Sequence, residues 1–249
     1  NHRLRLVQFG TADEAWIIPA EYGQAFRAAA ADALRVLPRL VAHNAPYDAL
    51  VADRHLTVPL EDLWPRVRDT RIYAHLLDSR REHEGGTGLS LKALAARLVD
   101  KDATDGQREL LAAFHAHGHT KDTGWAAIPV EDEVYQHYAA ADVVLVSRLF
   151  PVLVQYCADN GVPGGLIQYE HRIARIGAVI RRRGMLLDED YTRALVAELD
   201  EEAERYARVA ARYGVTSVNS PKQVAEALIG MGEVLTEKTA SGQLAGGKD

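Results

Sequence analysis

Cysteine is all but absent: Cys157 is the only one among 249 residues. No intrachain disulfide can therefore brace the fold, which excludes a disulfide-scaffolded secreted module and fits a reducing cytoplasm. Long apolar runs are missing too. Residues 149–154 are interrupted by Pro151 and stop at Gln155, short of the roughly 18 residues that a bilayer-spanning helix needs. There is no excess of positive charge. The formal net charge of −6 excludes a protein that grips nucleic acid chiefly through a global basic field. Bound cations or a local Lys/Arg groove can still neutralise phosphates on such a surface. Internal repeats, low-complexity tracts and a charged-then-apolar leader are lacking as well. What is present, 47% hydrophobic, 26% charged and 7% aromatic residues, is ordinary globular material, enough for one large domain or two small ones. The chain opens on Asn1 and closes on Gly246-Gly247-Lys248-Asp249; both ends read as cut, so the expectation is a fragment of something longer.

Residues 4–9 and 15–18 read as two strands around a turn at 10–14. Arg3 and Arg5 alternate with Leu4 and Leu6, which suggests a sheet with one wet face. An Ala-rich helix over 21–37 ends at Pro38. Residues 40–43 form a short strand running into Asn44-Ala45-Pro46, a helix-start signature, with the helix reaching His55. A second strand–helix step lies at 67–77, and 80–88 is a polar, Gly-rich loop. Ser90 caps a helix over 91–99, another helix covers 107–117, and 120–129 is irregular. A long helix then runs from Glu131 to about Phe150. Strands first, then strand–helix steps, give an α/β core sheet with helical insertions. The break at Asn160-Gly161-Val162-Pro163-Gly164-Gly165 divides the chain into 1–160 and an all-helical 165–249. The second part holds helices over 169–182, from Asp188 to about Tyr213, and from Asn219-Ser220-Pro221 to Leu228, then a polar stretch over 236–249.

Two acids stand out. On the long helix, Val134, Tyr138, Ala141, Leu145 and Leu149 share one stripe at helical spacing, and Asp142 lies on that stripe one turn after Tyr138. A carboxylate there needs a hydrogen-bonding partner, a cation or a wet cleft; a core Asp capping a loop and a site residue are both open readings. Asp48 lies four residues after Asn44 and so on the same helix face, just past the carboxyl end of a strand, where open α/β sheets place their sites. Taken alone, Asp48 as a first-turn acid and Asn44 as a plain cap are the simpler reading.

Together these residues resemble a family. His43-Asn44-Ala45-Pro46-Tyr47-Asp48 is similar to the second motif of the DEDD superfamily of 3′–5′ exonucleases, and Tyr138-Ala139-Ala140-Ala141-Asp142 to the third motif of its tyrosine-bearing branch. Residues 4–9 and 16–19, Asp69-Thr70-Arg71 and Leu89-Ser90-Leu91-Lys92-Ala93-Leu94 extend the likeness to the proofreading domain of family A DNA polymerases. Gly184-Met185-Leu186-Leu187-Asp188, the long helix after it and Asn219-Ser220-Pro221-Lys222-Gln223 resemble the start of the polymerase domain and its thumb.

The resemblance implies an RNase H-like mixed sheet with flanking helices, followed by an all-helical thumb segment. It implies a two-metal phosphodiesterase using Mg²⁺ or Mn²⁺, since two cations that clamp the attacking and leaving oxygens need converging carboxylates. Asp142 would bind one metal directly, Asp48 would hold the other, and Tyr138 would orient the attacking water. Asn44 and Tyr47 would contact the frayed 3′ end. Ser220, Lys222 and Gln223 would hold duplex phosphates, with 236–248 as a thumb tip. The implied partners are a single-stranded DNA 3′ end, primer–template duplex and replication proteins, with no membrane. The implied setting is the cytoplasm, at the bacterial nucleoid or phage-encoded in a bacterial host.

One departure matters. The family's first motif, Asp-x-Glu on the preceding strand, has no counterpart here: Asp13-Glu14 lies in a turn, and Asp188-Glu189-Asp190 opens a later helix. Either the motif lies upstream of Asn1 or the fold is a catalytically inactive, DNA-holding scaffold; a free-standing DEDD nuclease acting on RNA is a third reading. His137 has the spacing of the histidine-bearing branch, but falls roughly 140° from Asp142 around the helix against roughly 40° for Tyr138. His115, His117 and His119 alternate as zinc ligands can, yet span a helix end without acidic or cysteine neighbours and read as a solvated terminus. Arg181-Arg182-Arg183 reads likewise as a solvated helix end.

Overall fold

The computed structural model describes residues 3–236. The chain is mixed α/β with helix dominant and forms two compact units, Asn1–Gly184 and Met185–Asp249.

Unit 1 opens with β1 (Val7–Gly10) and β2 (Ala15–Ile18), an antiparallel pair with Val7 opposite Ile18 and Gly10 opposite Ala15. Then come α1 (Gln24–Val36), β3 (Leu40–Ala42), α2 (Ala45–Leu56), the single turn α3 (Leu60–Leu63) and β4 (Val67–Asp69). β4 lies parallel to β3, Leu40 opposite Val67, as a strand–helix–strand crossover requires. Helices α4 (Thr70–Leu77), α5 (Leu91–Leu98), α6 (Asp105–Ala116), α7 (Lys121–Ala127), α8 (Glu133–Asp159) and α9 (Gly164–Arg183) complete the unit. Among the described residues the strands make two separate two-stranded sheets, where the sequence suggested one. β1 and β3 each pair on one side only, and both line a cleft of about 1000 Å³ that also meets α1, α2 and α8.

Helix α8 is the spine, packed by α4, α5, α6, β1, β2 and β3. It continues past Phe150 to Asp159, although Pro151 lies inside it. An interior proline costs roughly 3 kcal/mol. Continuing the helix buries Leu153 and Cys157 beside Leu149 against Tyr73, Ala74 and Leu94, at roughly 1.5–3 kcal/mol for each large side chain, while the exposed Pro151 ring faces solvent. By length and composition alone α8, with mean hydropathy 1.5 over its most apolar window, is long and apolar enough to cross a bilayer; the elements packed around it and Asp142 and Arg148 within it mark a core helix.

Three more local expectations change. Residues 120–129 are not irregular: Thr120 N–H donates to Thr123 Oγ1 at 3.0 Å and starts α7. Gly124 is the residue that lets α7 lie on Phe114, because a Cβ there would overlap that ring. The first strand begins at Val7, and Arg5 faces no water. Its guanidinium is buried, with Nε–H donating to Glu21 at 3.0 Å and the Nη groups to the Trp125 and Ile128 carbonyls at 3.0 and 2.5 Å. The helix expected over 169–182 starts at Gly164, and α9 packs on α2 and α4 within unit 1. Trp64 Nε1–H donates to the His171 carbonyl at 2.9 Å, and Arg182 reaches Asp53 and Glu61.

Unit 2 contains α10 (Glu189–Ala211), capped by Asp188, and α11 (Pro221–Gly230), capped by Ser220. The stretch expected as a thumb tip lies, from residue 237 on, outside the described residues.

Candidate active site

The parallel strands β3 and β4 end at Ala42 and Asp69, and the chain turns there into α2 and α4. Asn44 makes the first turn in the left-handed region, φ 67°, a conformation costing a non-glycine residue roughly 1 kcal/mol or more. Asp69 holds it there. Its carboxylate, 2% exposed as a residue, accepts three backbone N–H groups at 2.9 Å: Asn44 and Arg71 on Oδ1 and Ala45 on Oδ2. Asp69 N–H in turn donates to His171 Nε2 at 3.0 Å, so the His171 ring proton sits on Nδ1, which donates to the Ile167 carbonyl at 2.8 Å.

This turn presents the residues of the expected second motif. The Asn44 side chain does not cap α2; its Oδ1 accepts from Arg71 Nη1 at 2.9 Å. Tyr47 is 60% exposed, its ring free for a planar ligand. His43 points inward, with Nε2–H donating to the Leu89 carbonyl and Nδ1 2.9 Å from Thr70 Oγ1; burial pulls its pKa below the ordinary value. Asp48 lines the cleft. As a residue it is exposed there, yet the protein atoms packed around the carboxyl, with the Asp69 and Asp142 charges added, push its pKa up to about 7.

Across the cleft, α8 supplies Asp142. Burial raises its pKa, and the Lys92 ammonium opposes the rise. Lys92 Nζ lies 2.5 Å from Asp142 Oδ1 and 4.5 Å from the centroid of the Tyr138 ring. Oδ1 is buried, and the Lys92 ammonium is the cation that meets it among the described residues. A carboxylate oxygen so placed suits a metal cation. Tyr138 is half-buried, edge-on to Trp125 at 5.9 Å; burial, then the Asp142 charge, pushes its phenol up to about 12, so at neutral pH it keeps its proton and can act as a donor. His137 is exposed.

The structure thus brings Asp48 and Asp142 to one cleft, sets Tyr138 beside Asp142, and leaves Asn44 and Tyr47 on the adjoining turn. Among the described residues no three His, Cys, Asp or Glu side chains gather as a metal group. His117 binds Asp132 at 2.9 Å. In unit 2, Ser220 Oγ accepts from Gln223 N–H, Gln223 Oε1 accepts from Thr216 and Ser217, and Lys222 is exposed near Glu226. Sequence reasoning passed over Asp69 and Lys92 as site residues. Both stand in stretches whose likeness it noted, but nothing local announces that their side chains turn toward the site.

Residues 1–156 match the model of the 3′–5′ exonuclease family of family A DNA polymerases. The chain is 38% identical over 241 residues to a "DNA polymerase" of Mycobacterium phage L5, covering 96% of this chain and 40% of that protein. It is 37% identical over 244 residues to a "DNA polymerase" of Mycobacterium phage D29, covering 97% and 40%. The chain therefore spans about two fifths of the length of these relatives. It belongs to the 3′–5′ exonuclease family.

Proposed function

We propose that this chain, as a member of the 3′–5′ exonuclease family, supplies the proofreading exonuclease and the first thumb helices of a DNA polymerase, and removes 3′-terminal nucleotides by two-metal hydrolysis on an RNase H-like scaffold. The observation that carries this reading is the meeting of Asp48 and Asp142 in one cleft beyond the ends of β3 and β4, with Tyr138 beside Asp142. The relatives' name and phage origin support a phage-encoded protein working in a bacterial host cytoplasm on single-stranded DNA 3′ ends and primer–template duplex, alongside replication proteins.

Asp142 would hold one divalent cation, Mg²⁺ or Mn²⁺, directly, and Asp48 a second. Bound there, the pair supplies Lewis acidity and a water of lowered pKa. Tyr138, its phenol neutral, donates a hydrogen bond that orients the attacking water. The Tyr47 ring stacks on the terminal base, and Asn44, steadied by Arg71, contacts the frayed end. In unit 2 the start of α11 (Ser220, Lys222 and the free amide of Gln223) contacts phosphates. The two further carboxylates that the family likeness implies would enter on another strand seated in the cleft, where β1 and β3 present unpaired edges.

A second reading, the inactive scaffold, is favoured by one observation: among the described residues no group of three potential metal ligands forms around Asp48 and Asp142. The deciding experiment digests a 5′-labelled single strand with Mg²⁺ or Mn²⁺, using the full-length protein beside Asp142→Ala. A ladder of shortened products that disappears in the mutant supports the exonuclease. No ladder from a folded, DNA-binding protein supports the scaffold.

A further inference from the structure

Lys92 has no role in the proposed hydrolysis, yet its ammonium sits against Asp142 and Tyr138. Its side chain is 12% exposed, against 69% for Arg3 or 75% for Lys222. A lysine stem buried this far gives up rotamer freedom and part of its hydration, so its head must be held by something specific. Two groups hold it, and both belong to the motif on α8: the Asp142 carboxylate at 2.5 Å and the face of the Tyr138 ring at 4.5 Å. A cation over an aromatic face is attracted by the ring quadrupole. The lysine is well placed to get there, because α5 begins at Leu91 under the Ser90 cap and packs on α8.

We propose that Lys92 is a positioning residue: the resident counter-ion of Asp142, which stands where a divalent cation's charge would stand and must leave when that cation binds. The inference rests on the metal-dependent exonuclease reading. Two physical consequences follow. Without metal, Lys92 keeps the Asp142 carboxylate and the Tyr138 ring in their working arrangement. With metal, the ion pair is a competitor that the cation displaces, so it lowers the affinity of the site and withholds it from weakly binding ions. The two binding events at Asp142 are coupled with opposite sign.

The test uses the full-length protein and Mn²⁺ as the probe, with bound metal read by electron paramagnetic resonance. Sites elsewhere are removed by subtracting the binding that persists in Asp142→Asn. Removing the ammonium in Lys92→Met is expected to tighten the Asp142-dependent Mn²⁺ binding about tenfold, in the range of coupled binding equilibria, while Lys92→Arg, which keeps the charge, stays within about threefold of the parent. A second measurement needs no variant: acylation of lysines by an N-hydroxysuccinimide ester, mapped by mass spectrometry. Labelling of Lys92 is expected to rise several-fold when Mn²⁺ saturates the site, with Lys222 unchanged. Asp142-dependent binding that is unchanged or weaker in Lys92→Met, or labelling of Lys92 that ignores Mn²⁺, overturns the counter-ion role and leaves the exonuclease reading standing. Absence of any Asp142-dependent Mn²⁺ binding overturns both.

Discussion

Replacing Asp69 by alanine should be the most damaging single polar truncation near the site, and the structure sets its size. The substitution strips acceptors from three backbone N–H groups at once. That of Ala45 is buried and has no other route to water, which costs about 1–3 kcal/mol. Those of Asn44 and Arg71 are partly buried, and losing a charge-assisted bond at each costs about 1.5 kcal/mol, the low end for such bonds. Neighbouring terms do not add fully, so the expectation is a loss of about 4 kcal/mol. All three tryptophans, Trp16, Trp64 and Trp125, lie in unit 1, so tryptophan fluorescence follows that unit without interference from unit 2. At roughly 2–4 °C per kcal/mol for a domain of this size, Tm should fall by about 8–16 °C, and the urea midpoint should move without a change in slope. Asp78→Ala is the control: Asp78 also accepts local bonds, but its pair with Arg80 is on the surface and should contribute little. If Asp69→Ala cost no more than Asp78→Ala, the idea that one buried carboxylate holds the left-handed turn at Asn44 would be wrong.

Arg5→Ala leaves the Glu21 carboxylate, 13% exposed, without its buried partner and should cost about 3 kcal/mol or more in the same unfolding assay. Gly124→Ala drives a methyl group into the Phe114 ring and should cost about 1–3 kcal/mol; a neutral result would show that α7 can shift. The Asp48 carboxyl, raised to about 7 from 3.8, favours the folded state when protonated. Its contribution is therefore complete below pH 3.8 and lost as pH rises through about 7. In chelator, Asp48→Asn should flatten the fall in Tm between pH 5 and 8, and an unchanged profile would remove Asp48 as its source. Tyr138→Phe should slow 3′-end digestion about a hundredfold with Mn²⁺ binding unchanged, whereas His137→Ala should leave the rate alone.

Much of unit 1 was legible because its signals are local. Asn44-Ala45-Pro46 marks the start of α2, Ser90 marks α5, and the stripe from Val134 to Leu149 on α8 exposes Asp142 as the misplaced charge. The illegible parts depend on partners far along the chain. Arg5 reads as a wet-face residue until Glu21 and the carbonyls of Trp125 and Ile128 close around it. Pro151 reads as a stop because the contacts of Leu153 and Cys157 with Tyr73 and Leu94 are invisible from the helix itself. Asp69 and Lys92 look like an ordinary cap and an ordinary helix lysine; only the packing of α4 and α5 shows what their far ends touch.

The division of the strands into two pairs has a consequence for how unit 1 comes apart. β1 and β2 are four residues each, and an isolated two-stranded hairpin is at best marginally stable in water. Their contacts run mainly to α8, with a few from β2 to α1. β3 and β4 are stitched into α2 and, through Asp69 and His171, into α9. The hairpin should therefore open in sub-global excursions, and its backbone amides should exchange with deuterium well before those of β3, β4 and α8. The cleft wall nearest Asp142 would then yield intermittently while the turn carrying Asp48 stays shut, giving one site a slow half and a fast half on the exchange timescale.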